Sequence, residues 1–362
     1  MSDRPEIRAL TGLRIIAALW VVFFHFNGQF VELIPELSGL SFLCNTGYLA
    51  VDLFFVLSGF ILAYQYLGEF EAGQGDYRHF LVRRLARIYP MMFVTTAVLI
   101  VIVFVDQPDY PDFYSVSGAL DDLTLTRGWF VPSEGWNYPA WSLSSEWLAY
   151  LLFPLVVAMV LRVARISREW LLILLVMLLG AEVAGSVFLG GADGMPAPDV
   201  RVLVAFTAGV AMFLFRDLLP KGRAAGTIAT VSLVALIACT GLIPSGPGRA
   251  AVGLALCIMV VGFLSTASGP IMRVLGSRLM VFGGRISFAV YMVHGLLYLW
   301  LPLAKWYGSP LLERLAIAAS VFGLLFTIAI FAHYSIERPA QAWVMKMWAR
   351  LRARKKAPQP VP

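Results

Sequence analysis

Residues 8–27, RALTGLRIIAALWVVFFHFN, place two polar side chains inside an otherwise apolar run of membrane-spanning length. Arg14 and His25 are eleven residues apart, and eleven steps of an α-helix return to within about 20° of the starting direction and rise about 16 Å. A charged or titratable group in hydrocarbon costs roughly 2.5 kcal/mol or more, so such groups usually face a protein interior or a watery cavity. This face is predicted to line a reaction path, although for either residue alone a snorkelling arginine or a buried structural histidine explains the pattern equally well.

The composition predicts a polytopic membrane protein. Of the 362 residues, 59% are hydrophobic and only 14% are charged, which is unlike the usual soluble domain. The net charge of +6 comes mostly from positions expected for cytoplasmic loops, so nucleic acid is not a predicted partner. Three cysteines without metal-ligand spacing predict neither a metal site nor a disulfide framework. The N-terminal apolar run lacks a small-residue cleavage site and is predicted to be a retained first helix.

The predicted fold is an all-α membrane bundle of about ten transmembrane helices. Of the 28 lysines and arginines, 23 fall on the side of the N-terminus, which predicts that both termini are cytoplasmic. The five predicted on the outer side are Arg127, Arg201, Arg249, Lys305 and Arg314. The shortest segment, 200–215, is the weakest of the ten. The predicted segments are 11–30, 48–67, 89–105, 138–161, 170–190, 200–215, 225–243, 249–267, 285–303 and 312–334.

Three titratable residues on different predicted helices share one membrane depth. Asp52 begins the second segment, Glu146 is the only charge between residues 135 and 161, and both should lie near the height of His25. A carboxylate beside an imidazole fixes its tautomer and raises its basicity, as a general base requires. His25, Asp52 and Glu146 are therefore the predicted catalytic cluster. The hydroxyls of Ser142 and Ser144 lie within the same stretch and are predicted to hydrogen-bond this cluster, the alternative being that they act as nucleophiles.

A second group of residues is predicted to bind a ligand, and its arginines suit one that carries phosphate. Arg83 and Arg84 stand with Arg87 at a membrane mouth, where guanidinium groups can grip phosphate, although ordinary topology signalling also explains them. Ser58 and Gly59 give a helix face without bulk, which a ligand or a neighbouring helix can approach. Further intramembrane polar residues, for which structural pairing is as good an explanation, are Glu182, His294, His333 and Glu337.

Five motifs together resemble those of the acyltransferase-3 family of multipass membrane acyltransferases: RALTGLRIIAALWVVFFH, VDLFFVLSGFIL, RRLARIYP, WSLSSEW and ISFAVYMVH. The resemblance covers nearly the whole chain. It implies an enzyme that takes an acyl group, usually acetyl, from cytoplasmic acyl-CoA. It also implies that His25 and Arg14 are the functional pair, with supporting positions at Asp52, Ser58, Gly59, Arg83, Arg84 and Glu146.

One position departs from the family pattern. A second acidic residue often follows the glutamate of the fourth-helix motif, and here that residue is Trp147, so the acid role falls on Glu146.

We also expect residues 1–338 to form the transmembrane domain and residues 339–362 a basic cytoplasmic tail, amphipathic and then disordered, that contacts anionic lipid. We expect no SGNH-type domain after the tenth helix, and we therefore expect a partner protein or direct acylation.

The predicted function is that of an integral O-acyltransferase of a bacterial inner or plasma membrane. Acyl-CoA is the predicted donor substrate, with no bound cofactor and no metal, and a carbohydrate or lipid-linked glycan is the predicted acceptor. Ser142 is included with Arg14, Arg83, Arg84, Ser58 and Gly59 among the predicted substrate-binding residues. The alternative is a transporter or flippase of a sugar substrate, in which the same buried charges form a proton relay.

Overall fold

The structure, a computed structural model, describes residues 4–106, 114–129, 135–190, 195–301 and 303–356. Ten stretches of helix in these residues are long and apolar enough to cross a membrane, which confirms the predicted all-α bundle. Across the described ranges no β-strand is formed. The α-helices are α1 (Arg8–Leu33), α2 (Ser41–Cys44), α3 (Leu49–Glu71), α4 (Tyr77–Asp106), α5 (Val116–Thr124), α6 (Ala140–Ile166), α7 (Trp170–Leu189), α8 (Pro198–Phe215), α9 (Arg223–Val234), α10 (Pro247–Thr266), α11 (Pro270–Leu275), α12 (Arg278–Trp300), α13 (Leu311–Ala332) and α14 (Arg338–Lys356).

Helix α1, which carries Arg14 and His25, packs closely against α12 through glycine. A Cβ atom on Gly284 of α12 would lie 1.9 Å from the backbone oxygen of Thr11, and one on Gly12 would lie 1.9 Å from that of Leu275, the last residue of the neighbouring helix α11. Side chains at these positions are therefore excluded, and small residues let the backbones approach as they do in other membrane bundles. Because the two backbones approach closely, side chains on the facing surfaces of α1 and α12 can touch directly.

Gly59 is a packing residue and not a ligand-binding one, which corrects the prediction from the sequence. Helices α3 and α8 cross at two glycines, where a Cβ on Gly59 would lie 2.0 Å from the Phe206 oxygen and one on Gly209 would lie 2.2 Å from the Val56 oxygen. The short helix α8 is buried along most of its length and also contacts α6, α7 and α10. Its central position explains how the weakest predicted segment forms a stable helix.

The C-terminal part continues the tenth helix and packs back onto the bundle. A π-helical turn at His333–Glu337 joins α13 to α14. The Trp348 indole donates to Nδ1 of His79 over 3.0 Å, and Arg352 pairs with Asp76, so α14 lies along the start of α4. The predicted disordered end, 357–362, lies outside the described residues. Residues 4 and 338 line one cavity, as an even number of crossings requires, whereas the cytoplasmic location of that end stays a prediction.

Candidate active site

A cavity of about 610 Å³ lies between α1, α3, α4, α6, α12 and the turn before α14. At one end it is lined by Arg4, Arg285 and Arg338, and at the other by Ser142 and Tyr291. Tyr291 is thirteen residues into α12, about 20 Å along that helix, so the cavity runs deep into the bundle. We call it the basic cavity because six arginines line it: Arg4, Arg14, Arg84, Arg87, Arg285 and Arg338.

Arg14 lines the basic cavity with its guanidinium uncommitted. The described residues provide it with no hydrogen bond and no ion pair, although Glu146, Glu337 and Arg87 lie close enough to act on it electrostatically. Arg285, in contrast, is paired with Glu6 at 2.8 Å. A half-buried arginine that keeps five donors free is suited to an anionic ligand.

Glu146 lies in the wall of this cavity and does not reach His25, which corrects the predicted cluster. Its Oε1 atom accepts hydrogen bonds from the Ser58 hydroxyl at 2.7 Å and the Tyr150 hydroxyl at 2.5 Å. The physical reason is depth. Helix α6 begins at Ala140, and Glu146, six residues later, lies about 9 Å further along the helix. Glu146 therefore orders the cavity wall opposite Arg14 instead of orienting the imidazole.

Asp52 is held by a residue that the sequence analysis assigned to an outer segment. Arg201 of α8 binds it with two parallel hydrogen bonds, Nε to Oδ1 at 2.5 Å and Nη2 to Oδ2 at 2.9 Å. The same guanidinium donates to the Tyr48 carbonyl at 2.6 Å and lies over the ring of Trp141. Asp52 is bound by Arg201, and in the described residues the side-chain partner of His25 is not Asp52, so the predicted contact between Asp52 and His25 is wrong.

The imidazole partner of His25 is another histidine. Nδ1 of His25 lies 2.9 Å from Nε2 of His294, with the ring planes inclined by 22°. Nδ1 of His294 lies 2.5 Å from the backbone oxygen of Tyr291. The ring of Tyr138 packs edge-on against His25 at 4.9 Å between centroids. Neither histidine lines the basic cavity, but Tyr291 contacts both the cavity and His294.

The predicted donor-binding residues divide into two groups. Arg84, Ser58 and Ser142 line the basic cavity, whereas Arg83 lies outside its lining. The reason is helical direction, because residue 83 points about 100° away from residue 84, while Arg87 lies one turn further on the cavity side. Arg87 therefore replaces Arg83 in the set. Ser142 closes the deep end of the cavity, where its hydroxyl meets that of Tyr291 at 2.7 Å.

The cavity is also lined by residues that were not assigned to the predicted site. His333 and Glu337 belong to the π-helical turn and hydrogen-bond each other at 2.8 Å on the cavity wall. Such turns are frequent at functional sites, and the polar pattern AHYSIERPA was the available signal. Tyr150 and Tyr291 lie in apolar runs of the sequence, and no pattern there predicts that they line a cavity. In the described part of the chain, no group of three ligating side chains is placed to hold a metal ion.

Comparison with known proteins identifies the family. A family model described as an acyltransferase domain matches residues 7–334. The chain belongs to the acyltransferase-3 family. It is 30% identical to "Acyltransferase MdmB" of Streptomyces mycarofaciens, over 98% of this chain and 96% of that protein. It is 29% identical to "O-acetyltransferase OatA" of Staphylococcus aureus and 24% identical to "Peptidoglycan O-acetyltransferase OatA" of Listeria monocytogenes. No solved structure matches it.

The two kinds of relative are covered to different extents. The matches to OatA span 44% and 42% of this chain but only 26% and 24% of the two OatA proteins. The family and the ten apolar helices together identify a multipass bacterial membrane acyltransferase. Family membership therefore favours an enzyme over the transporter alternative. An acyltransferase needs an acyl donor, an acceptor and a group that takes the acceptor's proton.

Proposed function

We propose that this membrane acyltransferase takes an acyl group, acetyl in the simplest case, from acyl-CoA bound in the basic cavity and transfers it to a hydroxyl of a carbohydrate or lipid-linked glycan. The observation that carries the donor assignment is the unpaired guanidinium of Arg14 in a cavity with five further arginines. Coenzyme A bears phosphates, which guanidinium groups bind through paired hydrogen bonds. The names of the OatA relatives, O-acetyltransferase and peptidoglycan O-acetyltransferase, support a carbohydrate acceptor.

In this proposal the basic cavity opens to the cytoplasm, with both termini on that side. The charge asymmetry of the sequence supports this orientation, and so does the need of acyl-CoA for access from the cytosol. The thioester arm extends along the cavity towards Ser142 and Tyr291, the residues that separate it from the histidine pair. The acceptor approaches from the opposite face, past Tyr138, which is half exposed beside His25.

His25 is the proposed general base. Its ring takes the proton of the acceptor hydroxyl as that oxygen attacks the thioester carbonyl carbon, the C–S bond breaks, and the coenzyme A thiolate leaves and regains a proton from the imidazolium. Such proton transfer commonly contributes roughly 10²–10⁴ in rate. Arg14 is about 16 Å of helical rise from His25, so its proposed role is to hold the donor and not to touch the reacting oxygen.

Direct binding of labelled acetyl-CoA to the purified protein tests the donor assignment. Arg14→Gln should weaken binding about tenfold or more, because a hydrogen bond to a charged group is worth about 1.5–3 kcal/mol. Arg162→Gln is the matched control, since Arg162 is an exposed arginine of α6 outside the cavity lining. Equal affinity in wild type and Arg14→Gln, or an equal loss in the control, would refute the assignment.

Transfer is measured as release of free coenzyme A in the presence of a glycan acceptor. Wild type should release coenzyme A only when acceptor is present, and His25→Ala should bind donor with unchanged affinity but release none. Binding of acetyl-CoA without acceptor-dependent release would contradict the acceptor class while leaving the donor site intact.

A further inference from the structure

The buried histidine His294 has no role in the function described so far, yet it is the hydrogen-bond partner of His25. It is 1% exposed on α12, and its two ring nitrogens meet two different groups. We infer that His294 is the positioning residue of His25, which holds the proton of that imidazole on Nδ1 and keeps the lone pair on Nε2. The catalytic use of that lone pair rests on the proposed function, whereas the proton placement does not.

The backbone carbonyl of Tyr291 decides the proton positions. A carbonyl oxygen can only accept, so Nδ1 of His294, 2.5 Å away, must carry a proton and donate it. A neutral imidazole has one donor and one acceptor, so Nε2 of His294 is then an acceptor. The nitrogen facing it at 2.9 Å, Nδ1 of His25, must therefore be the donor. Nε2 of the neutral His25 is left with its lone pair.

A doubly protonated His294 would reverse this assignment, but its surroundings disfavour it. The two carboxylates that the sequence placed beside His25 are committed elsewhere, Asp52 to Arg201 and Glu146 to Ser58 and Tyr150. A buried cation without a counter-charge is costly. Two neutral rings joined by one hydrogen bond add no unpaired charge to the bundle.

The free nitrogen of His25 is open to a ligand. Nε2 has no hydrogen-bond partner within the described ranges, and the side chain is only partly buried. In contrast, the turn that carries His294 is tightly packed, because a Cβ on Gly295 would lie 2.7 Å from Oδ1 of Asn137 and from Cδ of Pro139. A fixed His294 thus determines both the orientation and the tautomer of a more accessible His25, the role often taken by a carboxylate.

Nitrogen NMR of the protein labelled on histidine, reconstituted in lipid, tests the inference without turnover. The chain has only four histidines, so the signals can be assigned by single substitutions. In wild type, His25 should carry its proton on Nδ1 and show an unprotonated Nε2. In His294→Phe, which keeps a ring but removes the acceptor, that preference should be lost. His79→Gln, at the other end of the bundle, should leave the His25 signals unchanged.

Kinetics provide the second measurement. His294→Phe should lower kcat about tenfold or more with unchanged acetyl-CoA affinity, by analogy with the partners that orient metal-bound imidazoles, whose loss typically costs 10–100-fold. His294→Gln, whose side-chain oxygen can still accept from Nδ1 of His25, should recover part of the rate and keep the wild-type tautomer even if His294→Phe does not fold. A wild-type His25 protonated on Nε2, or an unchanged His25 tautomer in folded His294→Phe, overturns the inference. A correct tautomer together with no transfer in wild type would refute the proposed function alone.

Discussion

Replacing Asp52 by Asn should destabilise the bundle without changing the chemistry of the folded protein. The carboxylate is 1% exposed and forms a two-point ion pair with Arg201, which is 5% exposed and also bonded to the Tyr48 carbonyl. Asparagine keeps the shape but removes the charge, so a buried guanidinium loses its counter-ion. Breaking one partner of such a pair typically costs about 3–5 kcal/mol.

The size of the effect can be worked out from that cost. A loss of about 3–5 kcal/mol is a large part of the 5–15 kcal/mol that stabilises a typical folded protein, and it corresponds to a melting-temperature decrease on the order of 10 °C. The assay is thermal unfolding of the purified protein in detergent. Unfolding is monitored as the fraction of protein that remains monodisperse after heating. Activity is then expressed per folded molecule, and that value should remain close to wild type.

A double variant separates charge pairing from catalysis. Asp52→Leu combined with Arg201→Met removes both charges, and replacing a buried ion pair by apolar residues is often neutral or stabilising. Its melting temperature should therefore exceed that of Asp52→Asn. The reasoning would be refuted by an Asp52→Asn protein that melts like wild type and yet has lost transfer, because Asp52 would then act on the reaction.

Three further expectations use other parts of the structure. Gly59→Ala should reduce the yield of folded protein, because the new Cβ would meet the Phe206 oxygen at 2.0 Å, whereas Gly323→Ala, with open space, should not; expression and size-exclusion profiles compare the two. Arg14→Lys should weaken acetyl-CoA binding because it loses the planar fork, and unchanged affinity measured by equilibrium binding would contradict this. With the native cysteines removed, an impermeant thiol reagent on intact cells should label Ser117→Cys and not Gln74→Cys, and the opposite pattern would reverse the orientation.

The fold was predictable because its signals are local. Membrane-spanning length and hydropathy are properties of continuous segments, and all ten predicted segments correspond to helices of the structure. The shared helix of Arg14 and His25 follows from spacing alone and is confirmed by α1. The segment that forms Pro198–Phe215 was the least certain because it is short. Burial at the centre of the bundle, and not length, stabilises this helix.

The partners of the site residues were not predictable in the same way. Sequence position gives depth along one helix, but contact between helices depends on which faces the packing brings together. Asp52 and His25 share a depth, yet the glycine crossing of α3 with α8 places Asp52 against Arg201. His294 was visible as a polar residue in an apolar run, but only the close approach of α12 to α1 makes it the neighbour of His25.

The same packing explains several cations that the sequence placed on the outer side. Arg201 binds Asp52 inside the bundle, Arg127 donates to the Asn137 carbonyl beside a buried Asp122, and Arg314 donates to the Leu33 carbonyl and pairs with Glu36. Burial raises the pKa of Asp122, while Arg127 and two backbone N–H groups lower it. These three arginines therefore have structural partners within the protein.

Around α1, the structural residues differ from the candidate functional ones in whether their polar groups have hydrogen-bond partners within the protein. Asp52 and Glu146 have their carboxylates bound by protein donors. Arg14 and Nε2 of His25 have no such partner among the described residues, although they lie on the same helix about 16 Å apart. Leaving polar groups unpaired inside a membrane is costly, and a ligand can supply the partner that each of these two groups lacks. An anion at one and a hydroxyl at the other are the partners that their chemistry requires, which is why donor binding and proton transfer are assigned to opposite ends of one helix.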